Sequence, residues 1–282
     1  MTINLPKRAE ERLFNGVRKF QAILLAAQKR DANESDTVTI VVDMLADVFG
    51  FDKYAEITSE FAIRGTFCDL ALKLGGASKP SVLIEVKAIG QAADTRHVKQ
   101  AVDYAANQGV EWVVLTTGIT WKLFKVIFGK PINQEEVISF NFLEIDAKDN
   151  EQLSQLYALG RDGWAKELPT LIHTQNESIN RYMLAAFILS EPILDALRRE
   201  IKKFAHLKPG NEMLAEILET NVLKRETIEG EKADGAAKRV NRYVAKTKKL
   251  KLLSATPGQD VSRSPIEKMQ DSAPIVSIDS TG

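Results

Sequence analysis

The sequence predicts an α/β fold, in which a mixed central sheet of about five strands is flanked by helices and followed by an all-helical region. This prediction rests on the spacing of apolar residues in three stretches of the chain. Apolar residues recur every three or four positions over residues 7–30, every second position over residues 54–126, and again with helical spacing beyond about residue 148. The middle stretch therefore supplies the strands, and the flanking stretches supply helices.

Two helices precede the sheet. Residues 7–30 predict an amphipathic helix with a basic outer face, because the apolar residues fall at spacings of three and four. A second helix begins at a cap formed by Asn33 or Ser35 and continues to Gly50, where a glycine ends it. The apolar residues of the first helix are Leu13, Phe14, Val17, Phe20, Ile23, Leu24 and Ala27, and those of the second are Val41, Val42, Leu45 and Val48.

Three antiparallel strands follow the helices. The first contains Ile57, Phe61 and Ile63, the second covers residues 67–74, and the third covers residues 81–88. Residues 75–80 include two glycines and a proline and form the turn between the second and third strands. We therefore expect a meander at the start of the sheet.

A helix and further strands complete the sheet region. The helix covers residues 94–107 and begins at a cap formed by Asp94 or Thr95. A strongly apolar strand comes next, and the strand after it pairs back across the turn at Thr117 and Gly118. These strands cover residues 112–115 and 121–127, and residues 137–142 are the candidate for a sixth strand.

The hydrophobic pattern divides the chain into three parts. Residues 1–147 contain the two first helices and the sheet, and residues 148–253 are helical throughout. Residues 254–282 are rich in Ser, Pro, Asp and Gly without a regular apolar pattern, so we expect a disordered tail. The predicted helices of the second part cover residues 151–159, 176–189, 192–204, 211–224 and 233–253.

Composition excludes several classes of protein. The chain has 282 residues, of which 44% are hydrophobic and 27% are charged, which is typical of a globular protein. The single cysteine, Cys68, excludes an intramolecular disulfide, and three widely separated histidines give no zinc-ligand cluster. There is no signal-peptide pattern at the start and no run of 18 apolar residues, so we expect a cytoplasmic protein with no membrane partner. The formal net charge is zero, so any DNA binding must use a local basic surface.

Two acidic residues of the predicted hairpin fall on the same face of the sheet. Alternation along the strands places Asp69 on one face of the second strand and Glu85 on the same face of the third, with Cys68 on the opposite face. If the hairpin centres on Ala77, Asp69 lies directly opposite Glu85, with Cβ atoms about 4.5 to 5.5 Å apart. Two carboxylates at this separation can share one divalent cation, and without a cation they repel each other.

Lys87 lies two residues beyond Glu85 and therefore beside it on the same face. A lysine there can orient an attacking water or neutralise charge that develops on a phosphate, and the backbone carbonyl of Val86 can supply another oxygen ligand. The alternatives are an ion pair between Glu85 and Lys87 on a solvated sheet face, and a capping role for Asp69 at the start of its strand. Neither alternative explains both acids together.

With Gln100 and Tyr104 on the following helix, the pattern resembles the PD-(D/E)XK nuclease superfamily, in the branch that carries a Q-x-x-x-Y motif. It resembles more narrowly the N-terminal nuclease domain of the R subunits of type I restriction enzymes, which function in restriction-modification. The resemblance covers about residues 30–127. The matching positions are Asn33, Glu34, Gly50, Phe51, Glu60, residues 64–69, residues 83–87, Gln100, Tyr104, Thr117, Gly118 and Trp121.

The resemblance implies a restriction-endonuclease-like core and a Mg²⁺-dependent DNA endonuclease, with Mn²⁺ as a substitute metal. In that family pattern, Asp69 and Glu85 bind the metal and Lys87 assists catalysis. Gln100 and Tyr104 line the site near the phosphate, and Glu34 matches an acidic residue of the first core helix that binds metal through water. Two features depart from the pattern: Cys68 stands where the superfamily has its proline, and no G-x-x-x-x-G-K-[ST] loop for a DNA-translocating motor is present.

A second function class remains open. The chain could be a non-catalytic DNA-binding or assembly module that retains the nuclease fold, with the helical C-terminal region binding a separate protein partner; a third interpretation is a structural interaction protein. Lys238, Arg239, Arg242, Lys246, Lys248, Lys249 and Lys251 lie in one helical segment, which is either a contact for DNA or a partner, or a solvated face. Arg96, His97 and Lys99 have the same two interpretations. The oligomeric state is not predicted.

Overall fold

The computed structural model describes residues 3–63, 66–92 and 95–254, which form two compact units. The first unit covers residues 1–174 and the second covers residues 175–282. The hydrophobic pattern of the sequence predicts the boundary between the sheet region and the helical region at residue 147. The boundary lies later because helices after residue 147 bury apolar side chains, such as Leu156 and Tyr157, in the same core as the sheet.

The first unit begins with two helices, α1 (Lys7–Lys29) and α2 (Glu34–Asp47). Asn33 caps α2, because its side chain accepts a hydrogen bond from the backbone N–H of Asp36 at 2.9 Å. Gly50 follows α2 with φ of +79°, a conformation that glycine adopts without strain. Both helices match the hydrophobic spacing in the sequence.

A six-stranded mixed sheet forms the centre of this unit. Its strand order follows the chain, from β1 to β6, and every neighbouring pair is antiparallel except β3 and β4. The parallel pair requires a crossover, which contains helix α3 (Thr95–Gln108). The strands are β1 (Ile57–Ile63), β2 (Thr66–Leu72), β3 (Val82–Val86), β4 (Trp112–Thr116), β5 (Thr120–Ile127) and β6 (Asn133–Asn141).

The two faces of the sheet lie in different apolar clusters. One face contributes Leu70 and Ile84 to a large cluster with α1 and α2, and the other contributes Ala71 and Leu83 to a smaller cluster with α3. Strand β3 is buried along its whole length because helices cover both faces. The predicted α/β class, the mixed sheet and the sixth strand are confirmed.

Helices α4 (Asn150–Leu159) and α5 (Arg161–Ala165) follow the sheet, and α6 (Leu168–Ser178) comes after them. The second unit contains α7 (Arg181–Ile188), α8 (Glu191–Ala205), α9 (Asn211–Ile217), α10 (Arg225–Ile228) and α11 (Glu231–Ser254). The predicted helix over residues 176–189 is interrupted, because Asn180 caps α7 by accepting hydrogen bonds from Tyr182 N and Met183 N. Met183, Ala236 and Val240 form the buried core between α7 and α11.

The predicted disordered tail lies outside the described residues from residue 255 onward. The candidate cap Asp94 lies outside them as well, as do Arg64 and Gly65 of the family pattern. In the part of the chain that is described, none of the helices has the length and apolar character needed to cross a membrane.

Helix α1 supports the turn between β4 and β5. Gly118 in this turn has φ of +77°, and a Cβ atom there would lie 3.0 Å from Leu24 Cδ2. Leu24 is fully buried, whereas the next residue, Leu25, is 46% exposed. Substitutions at these two neighbouring positions of one helix therefore compare a packed leucine with a solvent-exposed one.

Truncation of Leu24 should destabilise the first unit. We expect Leu24→Ala to lower the free energy of unfolding by about 2 to 5 kcal/mol, because it leaves a cavity against the sheet. Leu25→Ala is the matched control and should change it by less than about 0.5 kcal/mol. Denaturant unfolding followed by tryptophan fluorescence measures this, since Trp112, Trp121 and Trp164 all lie in the first unit. Equal losses for the two variants would contradict the packing role of Leu24.

Candidate active site

The candidate site lies at the carboxyl end of β3. The predicted hairpin register is present for the pairs of Leu70 with Ile84 and of Ala71 with Leu83, but the predicted pair of Asp69 and Glu85 is not part of the ladder. The ladder between β2 and β3 ends at the pair of Leu70 and Ile84. Asp69 and Glu85 are therefore the first residues beyond the last ladder pair.

Side chains replace the backbone ladder at this point. Asp69 Oδ2 accepts a hydrogen bond from the backbone N–H of Val86 at 2.7 Å. The thiol of Cys68 donates to the backbone oxygen of Ile84 at 3.3 Å. The Asp69 carboxylate is thereby held beside the end of β3, where β2 no longer pairs through its backbone.

The predicted face of Cys68 is wrong. Cys68 is fully buried in the cluster of Ala71 and Leu83, and not in the cluster of Leu70. Strict alternation fails here because the β1–β2 ladder has no pair at Glu60 and Asp69, and Glu60 has φ of +49°. Burial raises the pKa of the Cys68 thiol to about 12, so this cysteine is a neutral hydrogen-bond donor.

Lys87 connects the acids of the site. Its Nζ lies 2.8 Å from Glu85 Oε1 and 3.4 Å from Glu34 Oε2. Glu34 is the first residue of α2, so the helix start brings a second carboxylate to the lysine. The Glu85 side chain is 4% exposed and the Lys87 side chain is 12% exposed, so both charges are largely removed from water. A buried charge is costly unless it is paired, and Lys87 provides the pair for Glu85.

Thr116 fixes the backbone of Lys87 and was not identified from the sequence. Its backbone oxygen accepts a hydrogen bond from Lys87 N at 2.8 Å, which extends the parallel pairing of β3 with β4 by one residue. Its hydroxyl oxygen accepts a hydrogen bond from Gly118 N at 2.9 Å, and the residue is fully buried. The sequence signal that could have identified Thr116 is a threonine at the end of an apolar strand, directly before a Thr-Gly turn.

Burial dominates the electrostatics of the two acids. It raises the pKa of Asp69 above its ordinary value, against the opposing effect of the hydrogen bond from Val86 N–H. Burial also raises the pKa of Glu85, against the opposing hydrogen bond from Lys87, and the charge of Asp69 adds to the increase. Both carboxylates are therefore less stable as anions here than in water.

The Lys87 ammonium responds in the opposite way. Burial would lower its pKa, but the hydrogen bond to Glu85 and the charges of the surrounding carboxylates outweigh burial and raise the pKa. Lys87 is consequently a permanent cation at neutral pH. Among the side chains that the structure describes, three carboxylates surround this one ammonium, so these groups together have an excess of negative charge.

Gln100 and Tyr104 lie on α3 and hydrogen-bond to each other. Gln100 Nε2 donates to Tyr104 Oη at 2.8 Å. Tyr104 is half-buried against the apolar cluster that contains Cys68 and Leu83, so it lies over the face of the sheet that α3 covers. Gln100 and Lys99 are exposed, and the side chains of Arg96 and His97 lie outside the described residues.

The donor set is of the kind that holds a hard divalent cation. Carboxylate and carbonyl oxygens are the ligands of Mg²⁺, which usually keeps several waters and binds one or two protein carboxylates. In the described residues, oxygens of Glu34, Asp69 and Glu85 do not all lie within 4.8 Å of one another. The arrangement therefore fits a cation that is held by Asp69 and Glu85 and reaches other groups through water, and its charge would offset the excess negative charge.

Comparison of the chain with protein-family models, with curated protein sequences and with solved structures finds no match. The likeness to nucleases thus rests on the residues of this chain alone.

Asp69→Asn should stabilise the metal-free protein at neutral pH. The asparagine keeps an oxygen acceptor for Val86 N–H but removes the partly buried charge. Because the folded-state pKa of Asp69 lies above its ordinary value of 3.8, ionisation costs stability once the pH exceeds the folded pKa. We expect the free energy of unfolding in chelator to be higher for the variant than for the wild type at pH 7.

The difference in unfolding free energy between the two proteins should shrink as the pH falls through the raised pKa, and it should be lost only well below pH 3.8, where Asp69 is protonated in both the folded and the unfolded state. Denaturant unfolding at a series of pH values measures it. Asp103→Asn, at an exposed position of α3, is the control and should show no such trend. A variant that is less stable than the wild type at every pH would contradict the burial argument.

Proposed function

We propose that this protein is a Mg²⁺-dependent DNA endonuclease that hydrolyses phosphodiester bonds. The observation that supports this most is the convergence of Asp69, Glu85 and Lys87 at the end of β3. Two carboxylates with raised pKa values and a buried ammonium are held there by a dedicated hydrogen bond and an ion pair. Such an arrangement lowers stability and is expected where it serves a reaction.

Asp69 and Glu85 would hold the metal, with the Val86 carbonyl as a further ligand and Glu34 acting through water. Mg²⁺, when bound, supplies a Lewis acid that polarises the phosphodiester and lowers the pKa of a coordinated water. Mn²⁺ would serve the same role. The excess negative charge of the site favours such a cation over the empty state.

Lys87 has the charge and position to stabilise negative charge that builds up on the phosphate during in-line attack. Its ammonium is fixed by Glu85 and Glu34, and its backbone is fixed by Thr116. A preorganised cation costs little reorganisation during the reaction and is most effective where water is excluded. Gln100 and Tyr104 would contact the phosphate from α3, in keeping with the resemblance to the Q-x-x-x-Y branch.

DNA would be bound through its backbone, so the site itself gives no sequence selectivity. The resemblance to the R-subunit nuclease domain of type I restriction enzymes makes restriction of foreign DNA the expected setting. A protein partner bound through the helical second unit fits this setting, and a cytoplasmic location remains a prediction.

One observation favours a second candidate, a non-catalytic DNA-binding or assembly module with a nuclease fold. Each charged group has an intramolecular partner: Asp69 binds Val86 N–H, and Lys87 pairs with Glu85 and Glu34. A site closed by internal pairing could be purely structural. Cleavage measurements separate the two candidates.

Substitution of the site should abolish DNA cleavage. We expect the purified wild type to cut plasmid DNA with Mg²⁺ or Mn²⁺, and Asp69→Asn, Glu85→Gln and Lys87→Ala each to reduce the rate by at least about a hundredfold, since each removes a charge from the reacting centre. A gel assay of supercoiled and linear plasmid measures this. Asp103→Asn should cut like the wild type, which excludes a contaminating nuclease. A wild type that binds DNA but cuts nothing with either metal would support the non-catalytic module.

Metal binding should depend on both acids. We expect titration calorimetry to detect Mn²⁺ binding by the wild type and to lose the signal for Asp69→Asn and for Glu85→Gln. Lys87→Ala should retain or strengthen binding, because it removes a positive charge next to the ligands. Binding that is unchanged in both acid variants would place the metal elsewhere and would contradict the proposed ligand set.

A further inference from the structure

The neutral net charge of the chain conceals an uneven distribution between the two units. Residues 1–174 contain 20 Lys and Arg against 23 Asp and Glu, whereas residues 175–282 contain 18 Lys and Arg against 15 Asp and Glu. The unit with the candidate active site is therefore net acidic, and its long-range field would repel a polyanion. The net positive charge of the chain lies in the second unit.

Helix α11 concentrates this positive charge. Its acidic residues, Glu231 and Asp234, lie in the first turn, where they favour the helix dipole. The rest of the helix contains Lys238, Arg239, Arg242, Lys246, Lys248, Lys249 and Lys251 and no acid. Twenty residues thus carry seven cations and no anion.

Four of these cations form a line on the side of the helix that faces away from its core. We call Lys238, Arg242, Lys246 and Lys249 the basic stripe; all four are exposed. They follow one another at spacings of four, four and three residues, so they share one face. Ala236 and Val240 are buried on the opposite face, against Met183 of α7. At about 1.5 Å per residue, the basic stripe is roughly 16 Å long.

The basic stripe has no acidic partner in the described part of the chain. Arg239 and Lys248, which flank it, are paired with Glu177 and Glu191. Within the described residues, no carboxylate lies within 4.0 Å of the four stripe residues. On helix α8, by contrast, two of the four cations are paired on the same helix, Arg198 with Asp195 and Lys203 with Glu200.

We propose that the basic stripe binds the phosphate backbone of duplex DNA without sequence preference and supplies the affinity that the first unit lacks. A line of four cations without a described carboxylate partner over roughly 16 Å matches a polyanion whose phosphates recur about every 3.4 Å along each strand. An anionic membrane fits less well, because interfacial helices insert an apolar face, and Ala236 and Val240 of α11 are buried against Met183 of α7. This binding does not require the proposed hydrolysis.

The salt dependence of binding tests this inference. A fluorescent DNA duplex is titrated with the full chain in chelator, so that no cleavage occurs, at several KCl concentrations. Each phosphate contact contributes about 0.9 to the slope of log K against log salt. The variant in which all four stripe residues are changed to Gln should therefore show a slope lower by up to about 3.6 and a markedly weaker affinity at low salt.

Two controls make the result specific to the basic stripe. A variant with Arg198, Arg199, Lys202 and Lys203 of α8 changed to Gln loses the same charge and should bind DNA nearly as well as the wild type. A variant with Lys238, Lys246 and Lys249 changed to Arg keeps the stripe charge and should also bind normally. Far-UV circular dichroism establishes that each variant retains its helices.

Three results would overturn the inference. They are an equal loss for the α8 variant, an unchanged slope for the stripe variant, and a wild type that binds vesicles containing phosphatidylserine but not DNA. Binding is measured in chelator, so it does not depend on the proposed metal ligands. Failure of cleavage with intact binding therefore refutes the hydrolytic proposal alone, and failure of binding refutes the role of the basic stripe.

Discussion

Glu85 is a carboxylate in a strand whose other side chains are apolar and buried, and the local structure depends on how its charge is offset. An ionised carboxylate out of water is destabilising by several kcal/mol unless it is paired, so β3 requires a cation close to Glu85. Lys87 provides that cation at 2.8 Å. Lys87 is in place because its backbone is bound to Thr116, which in turn requires the parallel pairing of β3 and β4. The crossover through α3 is the consequence of that parallel pair.

The same constraint explains why the hairpin stops pairing where it does. A regular ladder would continue past Leu70 and Ile84, with a backbone oxygen as the acceptor for Val86 N–H. Asp69 provides a side-chain oxygen instead, and Cys68 donates its thiol to the neighbouring strand. Asp69 thereby satisfies the N–H of Val86, which lies beyond the last ladder pair, and its carboxylate lies close enough to Glu85 and Lys87 to affect their charges. The irregularity is thus the means by which the two acids meet.

Sequence patterns predicted the regular parts of this arrangement and missed the irregular ones. The alternation of side chains and the hairpin register depend on residues that are close in sequence, so the pairing of Leu70 with Ile84 was predictable. The same holds for the helix cap at Asn33. The side of the sheet occupied by Cys68 depends on the conformation of Glu60 on another strand, which no local pattern encodes. The unit boundary at Thr174 depends on which helices bury their side chains beside the sheet, and that is also a tertiary property.

The distribution of charge gives the two units complementary physical properties. A site that holds a divalent cation needs excess carboxylate, and a surface that attracts DNA needs excess lysine and arginine. Placed on one small surface, these two sets of charges would neutralise each other, as Arg198 and Asp195 do on α8. Here Asp69 and Glu85 lie in a net acidic unit, and the basic stripe lies on α11 in the other. The proposed cation site and the proposed DNA surface thus belong to different units, and the zero net charge of the whole chain is the sum of a net acidic and a net basic unit.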